Sequence, residues 1–369
     1  CPSRVLNSGA VALRECGPGN NRVNLSFIGD GFTNDELTSI WKPHVDSVSS
    51  RMIHEEEPYA RYHKFINVYR IDIASNESGA DDIKAGTYVD TALGGHDTES
   101  NLCWLDWDAA VHEISTALGD IPSNWNIMAL NYQPCTGTAR KAYGGIYPML
   151  SPINYEIMLH EAGHAFFDLA DEYFTEGTTY SGGGNTKLNI TSTPLTPSWA
   201  HWLGYAQPHL SGPIGTYEGG GYKEFGLWRP SPDSMMKGGY HPFDAVATEI
   251  AILEIYQHVN PIDVYTDNKL ALNNRDIINI DVVDSNVIKL KWFLNDVLIK
   301  GMDSTNHDTY TLELSALNLS SGTYTLRALA YDNILDYNFS DNNDPHPLDL
   351  VRTNLDSLEQ SVTWQILIP

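Results

Sequence analysis

Residues 155–173 read YEIMLHEAGHAFFDLADEY, and they predict the helix that carries the chemistry of this chain. Apolar residues recur at helical spacing from Tyr155 to about Phe167, so the segment is predicted to be a helix. His160 and His164 lie one turn apart on it, and both imidazoles therefore project from the same face. A pair of this kind can bind one Zn²⁺ at about 2.0–2.1 Å.

Glu161 directly follows the first histidine and completes an HExxH pattern. In this pattern the carboxylate takes a proton from zinc-bound water, while the metal polarises the scissile carbonyl. The carboxylate then passes that proton to the leaving amine. HExxH also arises by chance on amphipathic helices, but this helix is otherwise apolar. Burying two histidines and a glutamate there without a partner would be costly, and a zinc ion removes that cost.

Three acidic residues compete to be the third metal ligand. Asp171 is our first choice, although on an unbroken helix it would lie roughly 10 Å along the axis from His164. It can reach the ion only if the chain turns near Asp168, and aspartate enters the left-handed region more readily than most residues. Glu249, on a predicted final helix, would instead give a site of two histidines and one glutamate. Glu172 is the third candidate.

A methionine turn is predicted at residues 234–236, which precede Gly238-Gly239-Tyr240. Such a turn beneath the metal is a feature of metzincin peptidases, and Met236 is the better placed methionine. The alternative is a methionine that fills a gap in the core. Tyr240 is predicted to stabilise the oxyanion of the tetrahedral intermediate, the alternative being a tyrosine that is simply packed.

Two segments are predicted to contact the substrate. Residues 144–148 read as a short edge strand, on which Gly145 and Ile146 would pair with an extended peptide through free backbone groups. Residues 217–222, YEGGGY, predict a tight turn near the cleft. Glu218 in this turn would contact substrate or support a ligating histidine, or else be a structural carboxylate of a hairpin.

The order of elements predicts an α/β (α+β) catalytic domain followed by an all-β domain. Strands at 23–28, 65–73 and 125–131 alternate with helices that start at the cap signal 33–36 and at 104, 155 and 243. Residues 175–237 are rich in glycine and proline and are predicted to be a long functional loop. From residue 262 short strands separated by turns predict a β-sandwich, with strands at 277–283, 287–293, 309–314, 323–331 and 361–368. We therefore predict an N-terminal hairpin at 1–21, a zincin-like catalytic domain at 22–260 and a C-terminal, immunoglobulin-like sandwich at 261–369.

The chain is strongly acidic, with 22 basic and 47 acidic residues and a formal net charge of −25. A surface of this charge repels phosphate backbones and excludes nucleic acid as a partner. It fits a secreted protein, and calcium is a second candidate cofactor. The acidic run at 332–349 could hold it, although a solvated turn is the preferred interpretation.

The apolar runs are far shorter than the roughly 20 residues of a membrane span, so no transmembrane segment is predicted. A monomer is favoured.

Four cysteines, Cys1, Cys16, Cys103 and Cys135, predict up to two disulfides in an exported chain. We expect the pairs Cys1–Cys16 and Cys103–Cys135. In a rival interpretation Cys1 is the lipid-bearing N-terminus of a bacterial lipoprotein. The predicted location is accordingly secreted, periplasmic or on the cell surface.

Further short stretches match one family of proteins. They are FIGDGFT (27–33), NVYRID (67–72), ESGAD (77–81), DTAL (90–93), residues 160–173, WAHW (199–202), YEGGGY (217–222), RP (229–230) and Met236. Together they span roughly residues 20–257, and the chain resembles the bacterial immunoglobulin A metallopeptidase family. The resemblance implies a zinc endopeptidase in which His160 and His164 bind the metal and Glu161 is the base. It does not establish immunoglobulin A as the substrate.

The chain departs from the family pattern at several positions. Asp168 stands where the family commonly has glycine, and Ser234, Asp244 and Ala247 stand where it has cysteines. No disulfide is therefore expected near the methionine turn. The predicted function is a secreted zinc endopeptidase that cuts extracellular proteins or glycoproteins. The alternatives are an inactive, peptidase-like binding or adhesion protein and a zinc hydrolase of a non-peptide amide.

Overall fold

The computed structural model of the chain describes residues 1–6, 10–182, 187–239, 241–302, 305–335 and 350–369. It is a mixed α/β protein with several sheets and few helices, and it divides into two compact units, Cys1–Glu254 and Ile255–Pro369. The helices are α1 (Asn34–Glu36), α2 (Lys42–Glu55), α3 (Trp107–Leu118), α4 (Asn154–Phe167) and α5 (Ala245–His258), and a π-helical turn, Leu37–Trp41, joins α1 to α2. The strands of the first unit are β1 (Arg4–Val5), β2 (Val11–Arg14), β3 (Val23–Asp30), β4 (Ile66–Ile71), β5 (His96–Asp97), β6 (Cys103–Trp104), β7 (Trp125–Leu130), β8 (Thr138–Arg140), β9 (Gly144–Pro148), β10 (Phe174–Thr179), β11 (Tyr217–Gly220) and β12 (Tyr222–Arg229).

A seven-stranded sheet with the order β1-β2-β4-β3-β7-β9-β8 forms the centre of the first unit. Its inner strands β4, β3, β7 and β9 are parallel, whereas β2 and β8 run antiparallel to their neighbours. The four parallel strands are buried along their whole length, as expected when both faces of a sheet are covered. The N-terminal hairpin β1–β2 is part of this sheet.

Local sequence signals account for the helices that flank the sheet. Thr33 and Glu36 form a complete capping box at the start of α1. Asp106 caps α3 by accepting a hydrogen bond from the Ala109 N–H, so this helix begins later than predicted. On α4, Phe166 stacks on Trp125 of β7 with ring centroids 4.7 Å apart. This buried aromatic contact fixes α4 against the sheet.

Two predictions for the first unit are wrong. Residues 144–148 form β9 as predicted, but β9 lies between β7 and β8, so the sheet edge is β8. Residues 175–237 are not one irregular loop, because β10, β12 and β11 form a three-stranded sheet there. Nearly all of β10 is exposed, so it lacks the alternation of apolar and polar residues that marks a half-buried strand.

The second unit contains two four-stranded sheets, with the orders β13-β14-β18-β17 and β16-β15-β19-β20. Their strands are β13 (Ile262–Tyr265), β14 (Ile277–Val282), β15 (Ile288–Leu294), β16 (Val297–Ile299), β17 (Thr305–Asn306), β18 (Thr309–Glu313), β19 (Gly322–Asp332) and β20 (Glu359–Ile368). In β14 the buried Ile278, Ile280 and Val282 alternate with less buried positions. The buried Tyr310 hydroxyl of one sheet donates to the Ile288 carbonyl of the other at 3.2 Å. This arrangement agrees with a sandwich of strands.

The cysteines pair as predicted, Cys1 with Cys16 and Cys103 with Cys135. The Cys1 sulfur that a lipoprotein anchor would need is therefore bonded to Cys16. Within the described ranges, the helices are all too short or too polar to cross a membrane. Most of the acidic run proposed for calcium, residues 336–349, lies outside the described residues.

Candidate metal centre

Helix α4 ends in a turn that redirects the chain toward the two histidines. Asp168 has φ 55° and ψ 33°, in the left-handed region, and its N–H donates to the Gly163 carbonyl. This is the turn that an Asp171 ligand requires, and aspartate tolerates the conformation better than most residues. Lys187 holds the Asp168 carboxylate with an ion pair of 2.5 Å. Asp171 is thereby brought back alongside the helix.

Three side-chain atoms converge at this point. Asp171 Oδ1 lies 2.9 Å from His160 Nε2 and 3.1 Å from His164 Nε2, and the two nitrogens are 3.1 Å apart. These residues form a group that could hold a metal ion. Ligands at 2.0–2.1 Å in a tetrahedral zinc site are about 3.3–3.4 Å apart, so the observed triangle is close to the required size.

The hydrogen bonds of the imidazoles determine which nitrogen can bind a metal. His160 Nδ1 lies 3.0 Å from the Met235 carbonyl and His164 Nδ1 lies 2.7 Å from the Leu169 carbonyl. A carbonyl oxygen only accepts, so each Nδ1 carries the proton and each Nε2 presents a lone pair. When both rings are neutral, these two nitrogens and the Asp171 carboxylate are three acceptors facing one another, so a proton or a metal ion must lie between them. A cation satisfies this arrangement, and the donor set of two imidazoles and one carboxylate suits zinc.

The charges of the group also favour a cation. Burial opposes ionisation of Asp171, but hydrogen bonds from His160 and His164, which these rings can donate only when protonated, outweigh it and hold the pKa of this carboxyl well below its usual range. Burial likewise opposes protonation of His164, yet the hydrogen bond and the charge of Asp171 raise its pKa. The ionised carboxylate thus attracts positive charge to the position between the two rings.

Glu161 lies beside this group in a confined position. A Cβ atom at Gly137 would stand 2.3 Å from Glu161 Oε1, and one at Gly145 would stand 2.9 Å from Glu161 Cβ. Glycine at 137 therefore makes room for the carboxylate, and glycine at 145 lets the backbone of α4 pack closely against β9. Burial raises the pKa of Glu161 to about 8, and a cation bound nearby would lower it again. A carboxylate of this kind can accept a proton near neutral pH.

Met235 and Met236 form a tight turn, Met235–Lys237, under the helix. The Met236 side chain is fully buried, and its sulfur would stand 2.6 Å from a Cβ atom at Gly163, between the two histidines. The Met235 carbonyl accepts from His160, and the Met236 carbonyl accepts from the Glu172 N–H at 2.8 Å. The turn supports both the helix and the strand that follows Asp171. Tyr240, predicted to stabilise an oxyanion, lies outside the described residues.

The two rival ligands are engaged elsewhere. Glu249 Oε2 lies 2.6 Å from His201 Nε2 and 2.7 Å from Trp202 Nε1. Glu172 is fully buried and accepts hydrogen bonds from Asn189 and Ser234. Of the three acidic candidates, the structure brings Asp171 to the histidines.

The residues predicted to bind substrate do not line the cleft. Gly145 and Ile146 are buried in β9, between two other strands, and cannot offer free backbone groups to a peptide. Glu218 is exposed in the β11–β12 hairpin, where its Oε1 accepts from the Gly226 N–H at 3.1 Å. A hydrogen bond of this kind is what a structural carboxylate of a hairpin makes.

The cleft itself is a cavity of about 640 Å³ that contains the metal group and Glu161. Several of its lining residues were missed by the sequence interpretation: Gly137, Thr138, Lys141, Tyr173, Lys187 and Tyr222. Tyr173 and Tyr222 follow motifs that were recognised, namely the ligand stretch and the YEGGGY turn. No signal in the sequence pointed to Gly137 or Thr138, because Thr138 reaches the cleft through the pairing of β8 with β9 and Gly137 directly precedes that strand.

Two tyrosines border the metal group. The Tyr173 ring lies nearly parallel to the His160 ring, with centroids 6.2 Å apart. The Tyr173 hydroxyl donates to the Tyr222 hydroxyl at 3.2 Å. Burial raises the pKa of Tyr222 to about 12, so its phenol stays protonated near neutral pH.

Comparison with known proteins gives one family. A family model described as IgA Peptidase M64 matches residues 11–211, which is 201 of the 369 residues. No curated protein matches the chain. The X-ray structure of the endo-beta-1,4-mannanase from Thermotoga petrophila aligns with 72% of this chain and 50% of that one, at 10% identity and a TM-score of 0.20. A likeness that weak carries no argument about fold or function.

Proposed function

The chain belongs to the IgA peptidase M64 family, and from this premise we propose that it is a zinc-dependent endopeptidase of zincin-like fold. The observation that carries the proposal is the convergence of His160 Nε2, His164 Nε2 and Asp171 Oδ1 within 2.9–3.1 Å of one another, beside Glu161. The proposed substrates are peptide bonds of extracellular proteins or glycoproteins. Two disulfides support a location outside the reducing cytoplasm.

His160, His164 and Asp171 are the residues that would hold zinc. When bound, the ion supplies a Lewis acid that polarises the scissile carbonyl and lowers the pKa of a neighbouring water to roughly 7. The protein keeps both Nε2 atoms available by holding each Nδ1 on a backbone carbonyl. Asp171 neutralises one of the two positive charges of the ion, and its position depends on the turn at Asp168.

Glu161 moves the proton in the proposed reaction. Its carboxylate takes a proton from the attacking water as the bond between oxygen and the carbonyl carbon forms. It then delivers that proton to the amide nitrogen as the carbon–nitrogen bond breaks, so the products are a carboxylic acid and an amine. The confined position of the carboxylate against Gly137 supports this role, since a proton acceptor must be held within hydrogen-bonding reach of the water.

Strand β8 is the proposed binding edge for the peptide substrate. It is the last strand of the seven-stranded sheet on the side of the cleft, and Thr138 and Ala139 line the cavity. An extended peptide can add to such an edge through main-chain hydrogen bonds. The role first assigned to Gly145 and Ile146 thus passes to the neighbouring strand.

Metal analysis and turnover on the full chain test this function. We expect one zinc ion per molecule by mass spectrometry, cleavage of internal bonds in a peptide library, and loss of cleavage with a chelator. Glu161→Gln should retain the zinc and lose about 10²–10⁴-fold in kcat. Glu99→Gln is a matched control, because Glu99 is exposed and is not among the residues lining the cleft. Purified protein without metal or peptide turnover would refute the proposal.

A further inference from the structure

Tyr222 occupies a backbone conformation that few residues other than glycine adopt. It follows Gly219, Gly220 and Gly221 in the β11–β12 hairpin, all of which have positive φ, and its own φ is 64°. For an L residue with a side chain this conformation is strained, and residues held in such strain cluster at functional sites. A fourth glycine would adopt this turn without strain. The turn geometry alone therefore does not account for a tyrosine at this position.

The strand that follows Asp171 holds Tyr222 in place. The Tyr222 N–H donates to the Tyr173 carbonyl at 3.1 Å, and the Thr178 hydroxyl donates to the Tyr222 carbonyl at 2.8 Å. Phe174 and Tyr222 are paired in the register of β10 and β12. The phenol is therefore placed by the same segment that places the third member of the metal group.

The phenol reaches the cleft at the metal group. Tyr222 lines the cavity and is 51% exposed, so its side chain is open to the cleft. Its hydroxyl accepts a hydrogen bond from the Tyr173 hydroxyl at 3.2 Å, so the phenol's own proton can be donated in another direction. The phenol also lies within hydrogen-bonding reach of the Asp171 carboxylate, so it stands at the edge of the metal group.

We propose that Tyr222 is a catalytic residue whose phenol O–H donates a hydrogen bond to the carbonyl oxygen of the scissile peptide bond. This proposal rests on the proposed peptidase function. Negative charge develops on that oxygen as water adds to the carbonyl carbon, and a donor already positioned there stabilises the transition state more than the substrate. Tyr173 is then a positioning residue, because its hydrogen bond to the Tyr222 oxygen leaves the Tyr222 proton for an acceptor at the metal group. That acceptor is Asp171 until zinc engages this carboxylate, and the substrate carbonyl afterwards.

The test compares Tyr222→Phe with Tyr173→Phe and with Tyr217→Phe as matched control. Tyr217 belongs to the same hairpin, but its hydroxyl donates to the Pro213 carbonyl, outside the cleft. For each protein we would measure zinc affinity, kcat and KM, and the affinity for a phosphinic peptide, which mimics the tetrahedral oxyanion. Calorimetry of the phosphinic peptide gives a readout that does not depend on turnover.

We expect Tyr222→Phe to lower kcat about 10²–10³-fold with little change in KM and with unchanged zinc affinity. Affinity for the phosphinic peptide should fall by a similar factor, Tyr173→Phe should show a smaller loss, and Tyr217→Phe should match wild type. Wild-type kcat in Tyr222→Phe would overturn the proposal. So would a loss that saturating zinc restores, because Tyr222 would then only support Asp171. A wild-type enzyme that binds zinc but cleaves no peptide would overturn the peptidase function itself.

Discussion

Ser234 donates a hydrogen bond of 2.5 Å to the carboxylate of Glu172, and both side chains are fully buried. The contact joins the methionine turn to the residue that follows Asp171. Asn189 donates to the other oxygen of Glu172 and to the Ala170 carbonyl, both at 2.9 Å, so the segment on either side of Asp171 is clamped. A metal ligand gains affinity when its neighbours hold it in position before the ion arrives.

We expect Ser234→Ala to lower the free energy of unfolding by about 1–3 kcal/mol, because it removes one partner of a buried carboxylate. Zinc affinity should fall about tenfold, in the range seen when the support of a ligand is lost. Denaturation in urea and a zinc titration measure the two effects. Ser39→Ala is the control, since the exposed Ser39 hydroxyl donates to the Asp35 carbonyl, neither residue lines the cleft, and its effect should stay within about 0.5 kcal/mol.

Asp171→Asn and Glu249→Gln distinguish the ligand from its rival. Zinc at 1,000 times its Kd should stabilise the wild-type protein by about 4 kcal/mol, visible as a rise in Tm. Mutation of a residue that only supports a metal ligand typically lowers metal affinity roughly 10–100-fold. Asp171→Asn removes a ligand itself, so its zinc affinity should fall by more than this. In the absence of zinc, Glu249→Gln should lower the free energy of unfolding by about 1–3 kcal/mol, because Glu249 is hydrogen-bonded to His201 and Trp202. Its zinc affinity should equal that of the wild-type protein. The reverse pattern of affinities would show that Glu249 is the ligand.

Gly137→Ala tests the space around the proposed base. The added Cβ would stand 2.3 Å from Glu161 Oε1, so the carboxylate must move. We expect kcat to fall about 10–100-fold with zinc content unchanged, since small displacements of a catalytic group have effects of this size. In the control Gly19→Ala the nearest atom is the Ile121 Cγ2, at 3.1 Å and away from the cleft, and kcat should be unaffected. Wild-type turnover in Gly137→Ala would mean that Glu161 need not occupy its observed position.

His44 should make the protein sensitive to acid. Its Nε2 lies 2.7 Å from the Tyr147 hydroxyl, and burial lowers its pKa from 6.5 to about 4. The folded state therefore binds fewer protons than the unfolded chain between these values, and stability falls as the pH decreases from 6.5 to 4. The loss from this residue should be about 1–3 kcal/mol.

The comparison with His44→Gln isolates that contribution, because glutamine can keep a hydrogen bond to Tyr147 but does not titrate. The free energy of unfolding would be measured for both proteins from pH 7 to pH 4. We expect the wild-type protein to lose more stability than the variant across this window. Parallel curves would show that His44 is protonated equally easily in the folded and unfolded states.

Much of the fold was predictable because its signals are local. The capping box of Thr33 and Glu36 is present, and α4 begins within one residue of the predicted position. The long strands of the second unit were predicted from alternating apolar residues such as Ile278 and Ile280. The three-stranded sheet of β10, β11 and β12 was missed, since exposed strands bury no continuous apolar face and leave no such pattern.

The placement of two histidines and a glutamate on one helical turn follows from the amino-acid order alone, because helical geometry converts a spacing of four residues into one shared face. Tertiary structure was needed to bring Asp171 rather than Glu249 to these histidines, to make β8 the sheet edge, and to set Tyr222 beside the cleft. Each of these depends on a chain reversal or on strand pairing between segments far apart in the sequence. Spacing along the chain does not encode such contacts; they form because the assembled sheet and helices must bury their apolar faces and pair their backbone groups.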